Sequence, residues 1–211
     1  SANVTRDFVR TKGFLALNAN PRDDLFLSAK LERAVGQLRF FDFIASVDVN
    51  QEREDVTNVN LVPPQSWDFT LEAQQSLGKS GNLTLSLFYE DVEDIVDRIP
   101  IEGGGQAPGN IDSASAYGGF FDATLLSDEF LWKGGRADLS LGYMTSKVKD
   151  PILGNTRKIS GDYYKSYELS LRQDFNETPW AIGAVIDYSE EAPNVRIDEV
   201  GFNNKSRGTL Y

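Results

Sequence analysis

Alternation of apolar and polar side chains at every second residue constrains this chain more than any other feature. Between residues 82 and 90 the apolar series is Leu83, Leu85, Leu87 and Tyr89, with mostly polar residues between them. The same period recurs along the chain at 13–17, 25–31, 69–73, 121–125, 137–143, 167–171 and 180–188. Because successive side chains of a β-strand point to opposite faces, the pattern predicts strands with one apolar and one polar face.

The connections between these stretches alternate in length. Short connections rich in turn formers lie at 20–23, 78–81 and 176–179, with a slightly longer one at 127–135. The long connections lie at 34–66, 91–117, 147–164 and 190–205. This rhythm predicts an all-β, antiparallel up-and-down meander of hairpins, with tight turns at one end and large loops at the other. About eight strands fit, within a range of eight to ten, and residues 207–211 are the candidate for a ninth.

Strand length and aromatic positions indicate a membrane. A tilted strand needs about 9–11 residues to cross a bilayer, and 67–77 and 180–188 are of this length. Aromatic residues lie near both ends of the predicted strands: Trp67, Tyr89, Tyr143, Tyr167 and Tyr188 near the long loops, and Phe130, Trp132, Phe175 and Trp180 near the short turns. Two aromatic belts around an aliphatic band are typical of a transmembrane β-barrel.

The polar face predicts a wide barrel. It carries many charged side chains, among them Asp68, Glu72, Asp122, Asp138 and Glu168. Side chains fill the interior of a barrel of about eight strands, which makes so many charges difficult to solvate there. The sheet is therefore expected to line a wide lumen, or to be covered on its polar face by another polar domain.

Composition excludes several classes of function. The chain has no cysteine and no histidine, which removes disulfides, thiolate nucleophiles and the usual general base of serine hydrolases. Its formal net charge is −11 and no basic run exceeds two residues, so nucleic acid is not an expected partner. The sequence contains no run of 18 apolar residues, so no transmembrane helix is expected. A signal peptide is not expected at its start either.

Several short motifs resemble the later barrel portion of bacterial TonB-dependent outer-membrane receptors. Residues 33–38 and 43–47 look like the top of a strand and its loop. Residues 58–67 are similar to the family's "N-x-x-L-x-P-E-x-x" entry into a strand, although Pro64 and Gln65 replace the usual acidic step. Residues 107–111 and 117–119 are similar to its "G-N … G-x-E" re-entry, where Phe120 replaces the usual acidic residue. Residues 158–161 and 171–175 resemble later strands.

The resemblance implies a role as well as a fold. Residues 1–211 would be a single segment of a transmembrane barrel of about 22 strands in the bacterial outer membrane, without a plug domain or a TonB-contacting box. The intact receptor would bind and import a scarce nutrient such as a siderophore or a saccharide. Its expected partners are outer-membrane lipid, a small-molecule ligand, and the plug domain and TonB system through the intact receptor.

The long loops supply the candidate ligand contacts. Receptors of this type gather ligand-contacting residues from their outer loops, and here Phe41, Phe43, Tyr163 and Tyr164 are the candidates. The acidic run at 90–97 is expected to be a solvated external loop. Residues 48–52 begin like a calcium loop, but Arg53 stands where an EF-hand needs glycine. We therefore predict no catalytic, cofactor-binding or metal-binding residue.

Two other functional classes stay open on the sequence. One is a soluble β-rich binding or adhesion module, and the other is a carbohydrate-active enzyme that uses paired carboxylates; of the three hypotheses we favour the receptor, which is not an enzyme. A partial barrel would also have two open edges and a bare apolar face. Studied alone, the chain is expected to close on itself, pair edge to edge with copies, or bury that face in a partner or detergent.

Overall fold

The computed structural model of the protein describes residues 7–38, 46–48, 53–55, 58, 60–102, 105–129, 133–161, 163–175, 178–196 and 200–210. The strands within these residues are β1 (Gly13–Arg22), β2 (Leu25–Val35), β3 (Ser46–Asp48), β4 (Arg53–Asp55), β5 (Gln65–Ser76), β6 (Gly81–Pro100), β7 (Gln106–Leu126), β8 (Gly135–Lys149), β9 (Thr156–Arg157), β10 (Tyr163–Asp174), β11 (Ala181–Glu191), β12 (Asn194–Val195), β13 (Val200–Gly201) and β14 (Asn204–Leu210). Two single 3-10 turns, Gly78–Ser80 and Ser127–Glu129, join strands at the short-turn end.

The long strands form one antiparallel wall. Its strand order is β1-β2-β5-β6-β7-β8-β10-β11-β14, which follows the order of the chain. Each long strand pairs with the next in antiparallel register. The predicted hairpin meander is confirmed, and the ninth strand begins at Asn204, before the 207–211 segment singled out in the sequence.

The register aligns the apolar residues of neighbouring strands into continuous rows. Leu71 lies opposite Leu87, and Phe69 lies opposite Tyr89. This apolar face is open in the structure: its exposed members include Leu15, Leu17, Leu31, Phe69, Leu71, Leu85, Leu87, Leu141, Tyr143, Tyr167, Leu171, Ile182 and Ile186. One face of the wall is therefore a broad apolar surface, and the opposite one, the polar face, carries the charged and hydroxyl residues.

The tight turn at 78–81 shows why glycine is required there. Gly81 has φ +130°, a conformation that side chains rarely adopt. A Cβ at this position would also lie 1.8 Å from the carbonyl oxygen of Thr124 on the neighbouring strand. A side chain at position 81 would therefore collide with the backbone of β7.

The loop predicted at 91–117 is instead mostly strand, so the expectation of a solvated acidic loop at 90–97 is wrong. β6 runs to Pro100 and β7 begins at Gln106, and the two pair as far as Pro100 opposite Gln106. The run of carboxylates concealed the strand because high charge usually marks a loop. The part of a hairpin that extends beyond the apolar band needs no apolar face. It can therefore carry charged side chains and keep its strand pairing.

Both edges of the wall are open within the described residues. β1 pairs only with β2, and β14 pairs only with β11. Because the wall has nine strands that alternate in direction, β1 and β14 run the same way. If the sheet closed on itself, β1 and β14 would therefore pair in parallel, whereas the strands of bacterial transmembrane β-barrels pair antiparallel throughout. The wall does not close on itself; how the isolated chain behaves in solution stays a prediction.

No helix in the described part of the chain is both long and apolar enough to cross a membrane.

Candidate functional site: the loop-side extension

A row of aromatic residues marks the height at which the wall meets its long loops. Tyr89 lies opposite Tyr117, and Tyr167 lies opposite Tyr188 with stacked rings whose centroids are 5.2 Å apart. With Trp67 and Tyr143 these residues form the loop-side belt. At the short-turn end Phe175 and Trp180 are exposed, while the predicted Phe130 and Trp132 lie outside the described residues.

Beyond the loop-side belt the strands continue into a packed body, which we call the loop-side extension: 90–102, 105–116 and 144–149 with the connecting residues 60–64, 150–161 and 192–196. Its centre is an apolar cluster of Val92, Ala114 and Val148, against which Ile111 and Ile159 pack. Leu61 and Ala192 are also buried here. Of the side chains that the structure describes, most of the buried ones therefore lie in this extension and not in the wall.

Arg157 joins two parts of the extension through a buried ion triad. Its Nη2 lies 2.9 Å from Oδ2 of Asp97, and its Nε lies 2.7 Å from Oδ2 of Asp150. The side chains of Arg157 and Asp97 are each 10% exposed, and that of Asp150 is 0% exposed. Nη1 also donates to the Lys158 carbonyl and the Ser160 hydroxyl. The 150–161 connection is thereby fastened to the outer part of the β6–β7 hairpin.

Asp150 is held in its ionised form. Burial by itself would raise the pKa of this carboxyl, but the N–H groups of Ile152 and Leu153 donate to Oδ1 and Arg157 faces Oδ2. These interactions outweigh burial, and the pKa of Asp150 is lowered. Their contribution to stability is present above the ordinary aspartate pKa and is lost as the pH falls through the lowered one.

Asn110 connects the two sequence motifs that mark where loops re-enter the wall. Its Oδ1 accepts from the Val62 N–H at 2.9 Å, and its Nδ2 donates to the carbonyls of Val62 at 2.9 Å and Asp94 at 2.6 Å. Asn58 donates to the carbonyl of Pro108 at 3.0 Å. The 58–67 and 107–111 motifs therefore contact each other, an arrangement that neither motif reveals by itself.

Replacing Asn110 with leucine is expected to loosen this junction. The change leaves the N–H and carbonyl of Val62 without their partner, which costs about 1–3 kcal/mol when such groups are buried. Faster amide hydrogen exchange at Val62 would show the loss. Asp112→Asn, at an exposed position in the same strand, is the matched control. Exchange at Val62 that is equal in the two variants would contradict the proposed role.

Tyr164 is the one predicted ligand contact whose side chain the structure describes. Its hydroxyl donates to Glu190, and the Lys158 ammonium lies 3.2 Å from its ring centroid. The Lys165 ammonium is 5.2 Å from the same ring. The backbone of Tyr163 lies opposite Glu191 at the start of β10. Phe41 and Phe43 lie outside the described residues, so the role of the four candidates as ligand contacts stays a prediction.

Tyr164 is expected to ionise later than an ordinary tyrosine. The hydrogen bond to Glu190, reinforced by burial, raises its pKa from 10.0 to about 12. Because the neutral phenol is favoured, this bond stabilises the fold fully below pH 10.0 and is lost as the pH rises toward 12. Ultraviolet titration of the phenolate should show one late-ionising tyrosine fewer in Tyr164→Phe. Loss of a tyrosine that ionises at the ordinary pKa would contradict the assignment.

A cavity of about 460 Å³ adjoins Tyr164. It is lined by Phe120, Gly142, Tyr143, Met144, Gly161, Tyr164, Lys165 and Ser166. Sequence reasoning singled out Tyr164 but missed Phe120 and Met144, because an apolar residue at a polar-face position looks like an irregularity of the alternation. The cavity places these side chains close to the loop-side belt.

Metal-binding arrangements are not found in the part of the chain described. No group of three or more carboxylate, histidine or cysteine side chains there could hold an ion. Of the segment that begins like a calcium loop, the structure describes Asp48 opposite Arg53 in the β3–β4 pair. The acidic residues of 90–97 stand on a strand and partly in ion pairs, as Arg10 to Asp94 at 3.0 Å and Arg157 to Asp97 show.

Comparison with known proteins places this fold among large barrels. No family model and no curated protein matches the chain. Among solved structures, the copper transporter OprC matches with a TM-score of 0.65 and 18% identity over 94% of this chain and 30% of its own. The FrpB iron transporter from Neisseria meningitidis (F3-3 variant) matches with a TM-score of 0.62 and 13% identity, over 93% and 30% of the two chains.

The siderophore receptor PirA from Acinetobacter baumannii gives a TM-score of 0.61 at 14% identity, over 94% of this chain and 33% of that one. These structures are TonB-dependent receptors of the outer membrane. The present chain spans about a third of their length. At these identities the likeness shows the fold, so the predicted fold class, a segment of such a barrel, is confirmed.

Proposed function

We propose that this chain, which has the fold of part of an outer-membrane TonB-dependent receptor barrel, serves in a receptor that binds and imports a scarce nutrient. Residues 1–211 would form one segment of its wall. The cargo class, a siderophore, a saccharide or a similar compound, belongs to the same proposal. The solved neighbours are transporters and receptors and not enzymes, which supports a role without catalysis.

The apolar face is the observation that carries the proposal. Leucine and aromatic side chains stand open in aligned rows across the wall, as with Leu71 beside Leu87. A monomer in water rarely exposes a continuous apolar surface of this size, because burying such surface is favourable by about 25 cal/mol per Å². A bilayer satisfies the face, and the tyrosine rows then lie at the level of the lipid headgroups.

The polar face and the extension define the expected partners. With lipid on the apolar face, the polar face lines the lumen, where a plug domain of the intact receptor would sit and through which the TonB system would act. The loop-side extension then projects outward from the membrane. Phe41, Phe43, Tyr163 and Tyr164 are proposed ligand contacts there, and Tyr164 already lies on a cavity.

Deleting the gene that carries this sequence tests the proposal. Growth and uptake are compared with the parent strain when iron, copper or a saccharide is limiting, each with and without an uncoupler that abolishes energy supply. We expect a loss of energy-dependent uptake for one nutrient, restored by the intact gene. Unchanged uptake of every nutrient tried, together with recovery of the protein in the soluble fraction, would reject the proposal.

Detergent dependence separates the receptor from a soluble binding or adhesion module. The intact polypeptide should stay monodisperse only in detergent or lipid, since the apolar face needs cover. A protein that remains monodisperse and folded without either would favour the soluble module.

A further inference from the structure

A stacked pair of phenylalanines lies on the polar face. By the register of β6 and β7, Phe88 and Phe120 belong to the face that carries Ser86, Glu90 and Asp122. Their rings stack with centroids 5.9 Å apart and planes inclined by 15°. The Phe120 side chain is 45% exposed, although exposing an apolar ring to water is unfavourable. We call this pair the Phe88–Phe120 platform; the Phe120 ring is open on the polar face, and Phe88 is half-buried.

Glycine keeps the platform open. Gly142 lies opposite Phe120 on β8, and a Cβ there would lie 3.1 Å from Cδ1 of Phe120 and 2.4 Å from the Ser166 hydroxyl. The Phe120 ring therefore lies close to the backbone of Gly142 on β8. The same residue lines the cavity of about 460 Å³ that reaches Met144 and Tyr164. Space for a planar group is thus already present beside the rings.

Carboxylates outnumber cationic side chains around the platform. Carboxylates on the same face flank it: Glu90 and Asp122 on its own strands, Asp68 and Glu72 on β5, and Glu168 on β10. β5 and β7 contain no lysine or arginine. On the same face of β8, Arg136 is paired with Asp138 at 2.7 Å. Lys165, which also lines the cavity, lies 3.7 Å from the Glu190 carboxylate. A ligand at the platform would therefore meet aromatic rings with more carboxylates than cations around them.

We propose that the Phe88–Phe120 platform binds a planar aromatic group that carries positive charge. A flat ring stacks on exposed aromatic faces, and a cation is attracted both by those faces and by the surrounding carboxylates. The inference rests on the proposed function in one respect, since it takes the polar face to line the lumen.

Binding of 10-methylacridinium tests the proposal directly. The intact polypeptide that contains this sequence is purified in detergent, and binding is followed by quenching of the probe's fluorescence. Phe120→Leu keeps an apolar side chain but removes the ring, and we expect it to weaken binding about tenfold. Phe120→Tyr should retain binding. Gly142→Val should weaken it as well, because the added side chain crowds the Phe120 ring.

Matched controls separate stacking from partition into detergent and from charge alone. Phe121→Leu alters the neighbouring residue on the apolar face and should leave the affinity unchanged. Anthracene-9-carboxylate, a planar anion, and tetraethylammonium, a cation without a ring, should each bind at least about tenfold more weakly than the probe. Equal affinity in Phe120→Leu and the parent, or equal affinity for the planar anion, would overturn the inference.

The two proposals fail separately. Binding is measured on purified protein and needs no transport, so a receptor that imports its nutrient but shows no ring-dependent probe binding refutes only the platform. Ring-dependent binding in a protein whose deletion changes no uptake refutes only the import function.

Discussion

Replacing Arg157 with methionine is expected to open the 150–161 connection. The change leaves the buried carboxylates of Asp97 and Asp150 facing each other without their cation, and breaking a buried pair in this way typically costs about 3–5 kcal/mol. Because the triad lies outside the wall, the cost should appear as local opening and not as loss of the barrel. Amide exchange at Ile152, Leu153 and Ile159 should accelerate about 100-fold or more.

The matched control neutralises the carboxylates together with the arginine. Arg157→Met combined with Asp97→Asn and Asp150→Asn removes every charge of the triad, so most of the lost protection should return. If the single and the triple variants exchange equally fast, the effect comes from lost packing of the arginine side chain. Unchanged exchange in the single variant would show that the ion triad does not fasten the connection.

Leu85→Arg is expected to prevent stable insertion in a bilayer. Leu85 is 43% exposed on the apolar face, midway between the turn at Gly81 and Tyr89 of the loop-side belt. An arginine at the bilayer midplane on the lipid face of a barrel costs about 2–4 kcal/mol. Unfolding of the intact polypeptide in lipid vesicles by denaturant, followed by tryptophan fluorescence, should report a loss of this size.

Ser86→Arg is the control for the same charge one residue away. Ser86 points to the polar face, and the Glu72 carboxylate accepts from its hydroxyl at 3.4 Å. An arginine there gains carboxylate neighbours and water, so stability should change little. Equal losses in both variants would mean that the faces are not distinguished by lipid, and a soluble β-rich module would then be the better explanation.

The wall could be predicted from the sequence because neighbouring residues along each strand belong to opposite faces and alternate in polarity. The alternation at 82–90 and 137–143 reappears as paired strands, with Leu139 of β8 lying opposite Leu169 of β10. A shift of one residue would turn every apolar side chain to the opposite face, so the pattern specifies the register strongly. The aromatic residues at the strand ends likewise predicted the loop-side belt.

The loop-side extension could not be predicted in the same way. The strand at 90–100 was hidden by its carboxylates, and nothing near Arg157 in the sequence points to Asp97, which is 60 residues away. Asn110 and Val62 are separated by 48 residues. Contacts between residues so far apart in the sequence form only in the assembled sheet, because strands of different length bring distant segments side by side there.

The sequence by itself therefore determined the wall: its antiparallel hairpins, its two faces and its aromatic belt, since each follows from a period of two residues and from turn chemistry. Only the tertiary structure decided that the β6–β7 hairpin extends far beyond the belt and that a buried arginine fastens a connection to it. The same is true of Phe88 and Phe120, which stack on the polar face. These features arise from contacts between neighbouring strands. The face to which a side chain points follows from its position in one strand, whereas the pairing of strands is a property of the whole sheet.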